Sequence, residues 1–175
     1  AVGCRRRIRN FRKREVLNVF KTAACIFIFL GCTFMGFSKA FSYRARREEL
    51  ENTLELVRIL NLEISYRKDS LKKTFERVSG MKKSWFADML KSCGKYLEEG
   101  RSIENAWECA LKDNSDTCPL LERDVEILKD ISMGIGRSDT GGQKKIFEPA
   151  MERLLSNIAE ARQEESRSGK MYKGM

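Results

Sequence analysis

The sequence predicts an all-α protein: an N-terminal transmembrane helix followed by an antiparallel six-helix bundle. Three observations carry this expectation. An apolar run without charge lies between Lys21 and Lys39, apolar residues then recur at helical spacing to the end, and no stretch alternates with a period of two. The 175 residues contain only two prolines, so helices meet few breakers. A chain of this length holds roughly one domain plus an accessory segment, which limits it to one anchor and one core.

The apolar run reads ACIFIFLGCTFMGF at its centre. Lys21 and Lys39 can snorkel, and Val16, Leu17, Val19, Phe20, Ala40 and Phe41 continue its apolar surface. At 1.5 Å per residue it then reaches about 25 residues, enough for a hydrocarbon core of about 30 Å. Residues 16–42 are therefore the expected transmembrane helix. A cleaved signal peptide is the competing reading, because Ser38-Lys39-Ala40 is a weak small-x-small site. Lys39 within that site and Arg44, Arg46 and Arg47 just after it disfavour export.

Charge is unevenly distributed. The net +9 separates into +11 over residues 1–47 and −2 over the rest. Nucleic-acid binding by the main domain is disfavoured, since it has no basic stripe for phosphates. The basic residues that border the apolar run, Lys21, Lys39, Arg44, Arg46 and Arg47, read instead as membrane-flanking. Both flanks are basic, so charge alone leaves the orientation open. Cysteine usage favours a domain facing the cytosol: Cys93, Cys109 and Cys118 are odd in number and lack metal-ligand spacing.

The first helix of the domain is expected from about Arg44 to Tyr66, with Leu50, Leu54, Val57, Leu60 or Asn61, and Ile64 on one stripe. Asp69 or Ser70 can cap a short helix carrying Leu71, Phe75 and Val78, which Gly80 ends. Ser84 opens a helix with Trp85, Phe86, Met89, Leu90, Cys93, Tyr96 and Leu97 inward, and Gly100 supplies a left-handed stop. Ser102 caps the next, with Ile103, Ala106, Trp107, Ala110 and Leu111 inward until the polar DNSDT stretch. Pro119 suits the first turn of another, which carries Leu121, Val125, Leu128 and Ile131 or Ser132 and ends at Gly134 and Gly136. The last is expected from about Asp139 to Gly169, with Ile146, Phe147, Met151, Leu154, Leu155, Ile158 and Ala161 inward and a kink at Pro149.

Chemistry is sparse. There is no histidine, hence no histidine base or ligand. The glycines of SMGIGRSDTGGQKK do not follow the order of a phosphate loop, and Ser138-Asp139 reads as a helix cap. Glu98 and Glu99 read as a solvated helix end. No catalytic residue, metal site or cofactor is expected, and the chain is not expected to be an enzyme.

RREELENTLELVRILNLEISYRKDSL, AWECAL, MGIGRSDTGGQKK and KMYKGM, in that order behind a membrane helix, resemble the stage III sporulation protein AB family of endospore-forming bacteria. The resemblance runs from about Val16 to the end. It implies a domain over 43–170 like the cytosolic domains of type II secretion and type IV pilus F-type platform proteins. It further implies a non-enzymatic platform in the mother-cell membrane around the forespore, required for endospore formation and coupling a cytosolic hexameric ATPase to a channel-like complex. The implied partners are the membrane, that ATPase and other components of the sporulation channel operon, with a second copy of the chain as a further candidate and no nucleic acid. A generic membrane-tethered helical adaptor is the alternative. Glu63, Tyr66, Arg137, Ser138, Asp139 and Gln143 match the family's motifs and are the candidate partner-contact residues, although a turn and an N-cap also account for the last four. Residues 1–15 fall outside the family pattern and are expected to be a basic, non-native extension. Residues 171–175 are expected to begin a truncated C-terminal membrane segment.

Overall fold

A computed structural model describes residues 27–28, 41–67, 69–137 and 144–173. Most of the transmembrane helix expected over 16–42, with Lys21 and Lys39, lies outside the described residues, as do Ser138, Asp139 and Gln143. Among the described residues no helix is long and apolar enough to cross a membrane. The chain divides into two units, Ala1–Phe41 and Ser42–Met175. All that follows concerns the second.

Among the described residues all regular structure from 41 onward is helical. Helix α1 is described over residues 41–67, followed by α2 Leu71–Ser79, α3 Trp85–Glu98, α4 Ile103–Asp113, α5 Glu122–Arg137 and α6 Lys144–Lys173, with a 3-10 turn at Ser115–Thr117 before α5. Each of α2 to α5 packs on the helix that follows it.

The apolar stripes explain why these segments are helices. On α1, Leu50, Leu54, Val57, Leu60 and Ile64 all enter the core together with Leu56. Phe75 and Val78 of α2, Phe86, Met89, Leu90 and Cys93 of α3, and Ala106, Trp107 and Ala110 of α4 meet them there. Trp107 is the centrepiece, taking the edges of Phe75 and Phe86 at centroid distances of 5.9 and 6.1 Å. Each large apolar side chain buried in this way contributes about 1.5–3 kcal/mol. Leu121 and Leu155, expected inward, are instead exposed. Leu121 precedes the first turn of α5, and Leu155 lies on the side of α6 that carries Arg162, away from the core stripe of Leu154, Ile158 and Ala161.

Local signals set most boundaries. The Ser84 hydroxyl accepts the Ala87 N–H at 3.2 Å and the Ser102 hydroxyl that of Asn105 at 3.3 Å, capping α3 and α4. Gly100 has φ +83, and the N–H groups of Arg101 and Gly100 donate to the carbonyls of Tyr96 and Leu97. That double bond is a Schellman stop, the one expected at this glycine. Ser70 occupies the N-cap of α2 without a side-chain bond, while Asp69 pairs with Arg77.

Helix α5 differs from expectation at both ends. It starts at Glu122, not Pro119, because the Asp124 carboxylate takes the Leu121 N–H at 3.0 Å and closes the first turn there. It also runs through Gly134 and Gly136 to Arg137. Gly134 is a contact point, not a terminator: a Cβ built on it would stand 2.7 and 2.9 Å from Cδ1 and Cγ1 of Ile146 on α6, and closer still to Cγ2. The missing side chain lets the two helices approach. The Gly134→Ala variant is expected to lose about 1–3 kcal/mol despite the better helix propensity of alanine, read as a lower urea midpoint.

Candidate interaction surface

The most concentrated polar structure is a seam joining residues 46–51 of α1 to α5 and α6. Arg46 is 3 % and Asp124 0 % exposed. Their contact is two-pronged, Nε to Oδ2 at 2.9 Å and Nη2 to Oδ1 at 3.2 Å. The Arg46 Nη1 donates to Glu164 at 3.0 Å, and the Asn157 amide donates to Asp124 Oδ1 at 2.7 Å. With the Leu121 N–H, the Asp124 carboxylate thus has four donors from three helix segments, which satisfies a buried charge that would otherwise be costly.

Around this centre the seam continues at the surface. Arg47 donates to Glu165 at 2.5 Å and Glu51 at 2.9 Å, and Arg162 reaches Glu51 at 2.8 Å. The Glu165 contact holds Arg47 above its ordinary pKa against the opposing effect of burial. Burial opposes ionisation of Glu51, yet Arg162 and Arg47 outweigh it and keep its carboxyl below the usual range. Partners ascend along α1 from 47 to 51 as they descend along α6 from 165 to 162, so these two helices run antiparallel. Arg123–Glu160 and Asp130–Arg153 establish the same for α5 and α6. Arg44, read from sequence with Arg46 and Arg47 as membrane-flanking, pairs with Glu48.

A second buried carboxylate links α1 to α3. Glu49 accepts the backbone N–H of Phe86 at 2.9 Å and of Trp85 at 3.2 Å, placing negative charge at the start of a helix, where the dipole favours it. Burial nevertheless pushes the Glu49 carboxyl up from its ordinary 4.5, the N–H donors offsetting only part of the effect. Both oxygens are occupied by neighbouring groups, so the residue is a structural link and offers nothing to a substrate. Among the described residues no three acids or cysteines form a metal-ligand set.

The candidate contact residues fall into different settings. Tyr66 is 81 % exposed near the end of α1. Glu63, one turn earlier, is engaged within the chain by Arg77 and Arg67. Arg137 ends α5, and its side chain is outside the described set with Ser138, Asp139 and Gln143. Sequence reasoning passed over two features. One is the Arg46–Asp124 seam. The other is a cleft of about 310 Å³ between α4 (Glu104, Trp107, Glu108) and α5 (Lys129, Ser132, Met133), where the Trp107 ring forms part of the wall and its buried indole N–H has no acceptor. The seam did leave a trace: Arg46 stands one turn before Leu50 and Leu54, on their stripe, as Asp124 does before Leu128 and Ile131.

Comparisons with known proteins agree with one another. The family model described as Stage III sporulation protein AB matches residues 21–175. Stage III sporulation protein AB of Bacillus subtilis (strain 168) is 25% identical over 158 residues, which cover 90% of this chain and 92% of that protein. A solved structure of a Stage III sporulation protein AB is 24% identical, with a TM-score of 0.65 over 69% of this chain and 96% of the other, a likeness of fold.

Two outcomes follow from the buried carboxylates. Asp124→Asn leaves Arg46 charged, buried and without its two-pronged partner, and should cost about 3–5 kcal/mol in urea unfolding, of which Arg46→Met in the same chain restores a substantial part. Glu49 holds its proton to higher pH in the folded chain than in the unfolded one. Its contribution to stability therefore falls as pH rises from 4.5 through the raised folded value. Glu49→Gln lacks that titration, so the variant's Tm should gain on that of the parent between about pH 4 and pH 7 in paired thermal melts.

Proposed function

We propose, from the premise that this chain belongs to the stage III sporulation protein AB family, that it is a non-enzymatic membrane platform of the complex assembled between mother cell and forespore. In this reading residues 16–42 anchor it in the mother-cell membrane and the helical domain over 43–170 faces the cytosol. There it couples a hexameric ATPase to the rest of the assembly, with a bundle like that of type II secretion F-type platforms. The family model and the relative from Bacillus subtilis support a role in sporulation. Anchor, topology and partner are the further steps of the proposal.

The observation that carries the mechanical part is the Arg46–Asp124 seam. A platform has to move as one body with its anchor, so the residues that follow the anchor need a stiff attachment to the domain. Arg46, four residues past the proposed anchor, is bonded to Asp124 of α5 and Glu164 of α6, and Arg47 to Glu165. A load applied to α5 or α6 would reach Arg46 and Arg47 of α1 through several charge-assisted bonds, which are shorter and stronger than neutral ones. Enzymatic chemistry is not part of the reading: the acids of the seam, Asp124, Glu164, Glu165 and Glu51, are engaged by arginines inside the chain.

The test is the position of a fluorescent fusion of the full chain in its native host, followed through endospore formation and in vegetative cells. Enrichment around the engulfed forespore is expected, together with a loss of heat-resistant spores on deletion that the intact gene restores. Even membrane fluorescence at all stages, with normal spores after deletion, overturns the platform and leaves a tethered adaptor.

A further inference from the structure

Past Glu51, the outer face of α1 changes character. Residues 51, 58 and 62 fall within about 40° of one another on a helix turning 100° per residue, and so do 162, 155 and 151 of α6. The Glu51–Arg162 pair joins these two stripes. In antiparallel register the same count along the two stripes pairs position 58 with 155 and 62 with 151. Along them Leu62 is 55 %, Tyr66 81 % and Leu155 47 % exposed, and Ile59 and Met151 are half-buried. Among the described residues neither the Arg58 guanidinium nor the Tyr66 ring has a partner, unlike Arg44, Arg46, Arg47, Arg77 and Arg162 on the same side of the sequence and the seam.

We infer that this patch docks a second copy of the chain, α1 against α1, about a two-fold axis passing at Leu62. The order of residues argues for a copy of itself. Arg58 lies four residues before Leu62 and Tyr66 four after it, all on one face. A two-fold axis at Leu62 brings Leu62 onto its own mate and Arg58 onto Tyr66 of the partner subunit, twice over, as an isologous contact requires. A guanidinium over a tyrosine face is an attractive pair, and arginine and tyrosine are among the residues enriched where interfaces concentrate their energy. Leu155 adds exposed apolar surface on the paired stripe of α6.

The next residues outward do not oppose the contact. Glu55 stands seven residues before Leu62 on α1, and Asp69 lies past the helix. Each arrives already neutralised within its own chain, Glu55 by Lys82 and Asp69 by Arg77. An anionic lipid surface suits the patch less well, because glutamates 51, 55 and 63 stand around it. The inference stands apart from the platform reading, since it concerns only the chain's own surface.

The experiment is sedimentation equilibrium of the full chain in detergent, with oxidative cross-linking of Leu62→Cys in parallel. A concentration-dependent dimer is expected, and oxidised Leu62→Cys should run at twice the 20.2 kDa chain mass in a yield well above that of the parent with its own six cysteines. Arg58→Glu and Tyr66→Arg should each weaken the dimer by roughly 10-fold or more, and the exchanged pair Arg58→Glu/Tyr66→Arg should regain most of the loss. Both positions are exposed and without partners in the fold, so the variants should keep the parent's circular dichroism. A monomer at every concentration overturns the inference. So does a dimer indifferent to Arg58→Glu, or an exchanged pair no better than either single variant.

Discussion

The buried Arg46–Asp124 pair is the constraint around which the domain is arranged. Desolvating two charges is expensive, and the expense is tolerable only when every donor and acceptor is met. Meeting them requires α1, α5 and α6 to converge at one point with the Leu121 turn closed beneath it, so this one contact specifies three helices at once. An apolar pair of similar volume could stabilise the fold equally well. It would leave the rotation and sliding of α1 less strictly defined, because dispersion contacts have little directional preference.

Glu49 extends the same logic from α1 to α3. It crosses from α1 to the first turn of α3 and meets two N–H groups that no carbonyl of that helix can reach. Helix α1 therefore has polar ties to α3 by Glu49 and to α5 and α6 by Arg46 and Arg47, with Arg46 lying on the leucine stripe itself. Beyond Leu60 these ties thin out, and the helix ends in the exposed Leu62 and Tyr66. The chain thus holds α1 tightly around Arg46 and leaves its outer face free further along.

What was legible in the sequence was local. The leucine stripe of α1, the serine caps at 84 and 102 and the left-handed Gly100 all depend on residues within a turn or two of one another, and each stands in the structure as its residue type suggests. The errors share a different cause. Gly134 was read as a terminator because glycine usually ends helices, whereas its use here depends on Ile146 across the interface. Position alone sets Arg46 among the membrane-flanking cations, and nothing local to it shows a partner 78 residues away. Leu155 was assigned inward by type, yet the stripe of α6 that it occupies is the one leading to Arg162. Of the candidate contact residues, Tyr66 and Glu63 shared a motif but not a setting, since the presence of Arg77 beside Glu63 depends on how α2 packs. Distant pairing has no local signature except a charge placed on an apolar stripe, which Arg46 and Asp124 both display.

The long span of that pairing bears on how the chain acquires its structure during synthesis. Helices α2, α3 and α4 meet as sequence neighbours and can associate as soon as they emerge. The segment of α1 around Arg46 cannot, because Asp124 follows Arg46 by 78 residues and Glu164 by 118. At a translation rate of about 5–20 residues per second, the stem waits on the order of 4–16 s for Asp124 alone. Throughout that interval its arginines are hydrated and its leucines lack their full cover. A nascent chain at this stage exposes the segment that later becomes the most firmly held part of the domain, and that is where a chaperone would have its longest opportunity to bind.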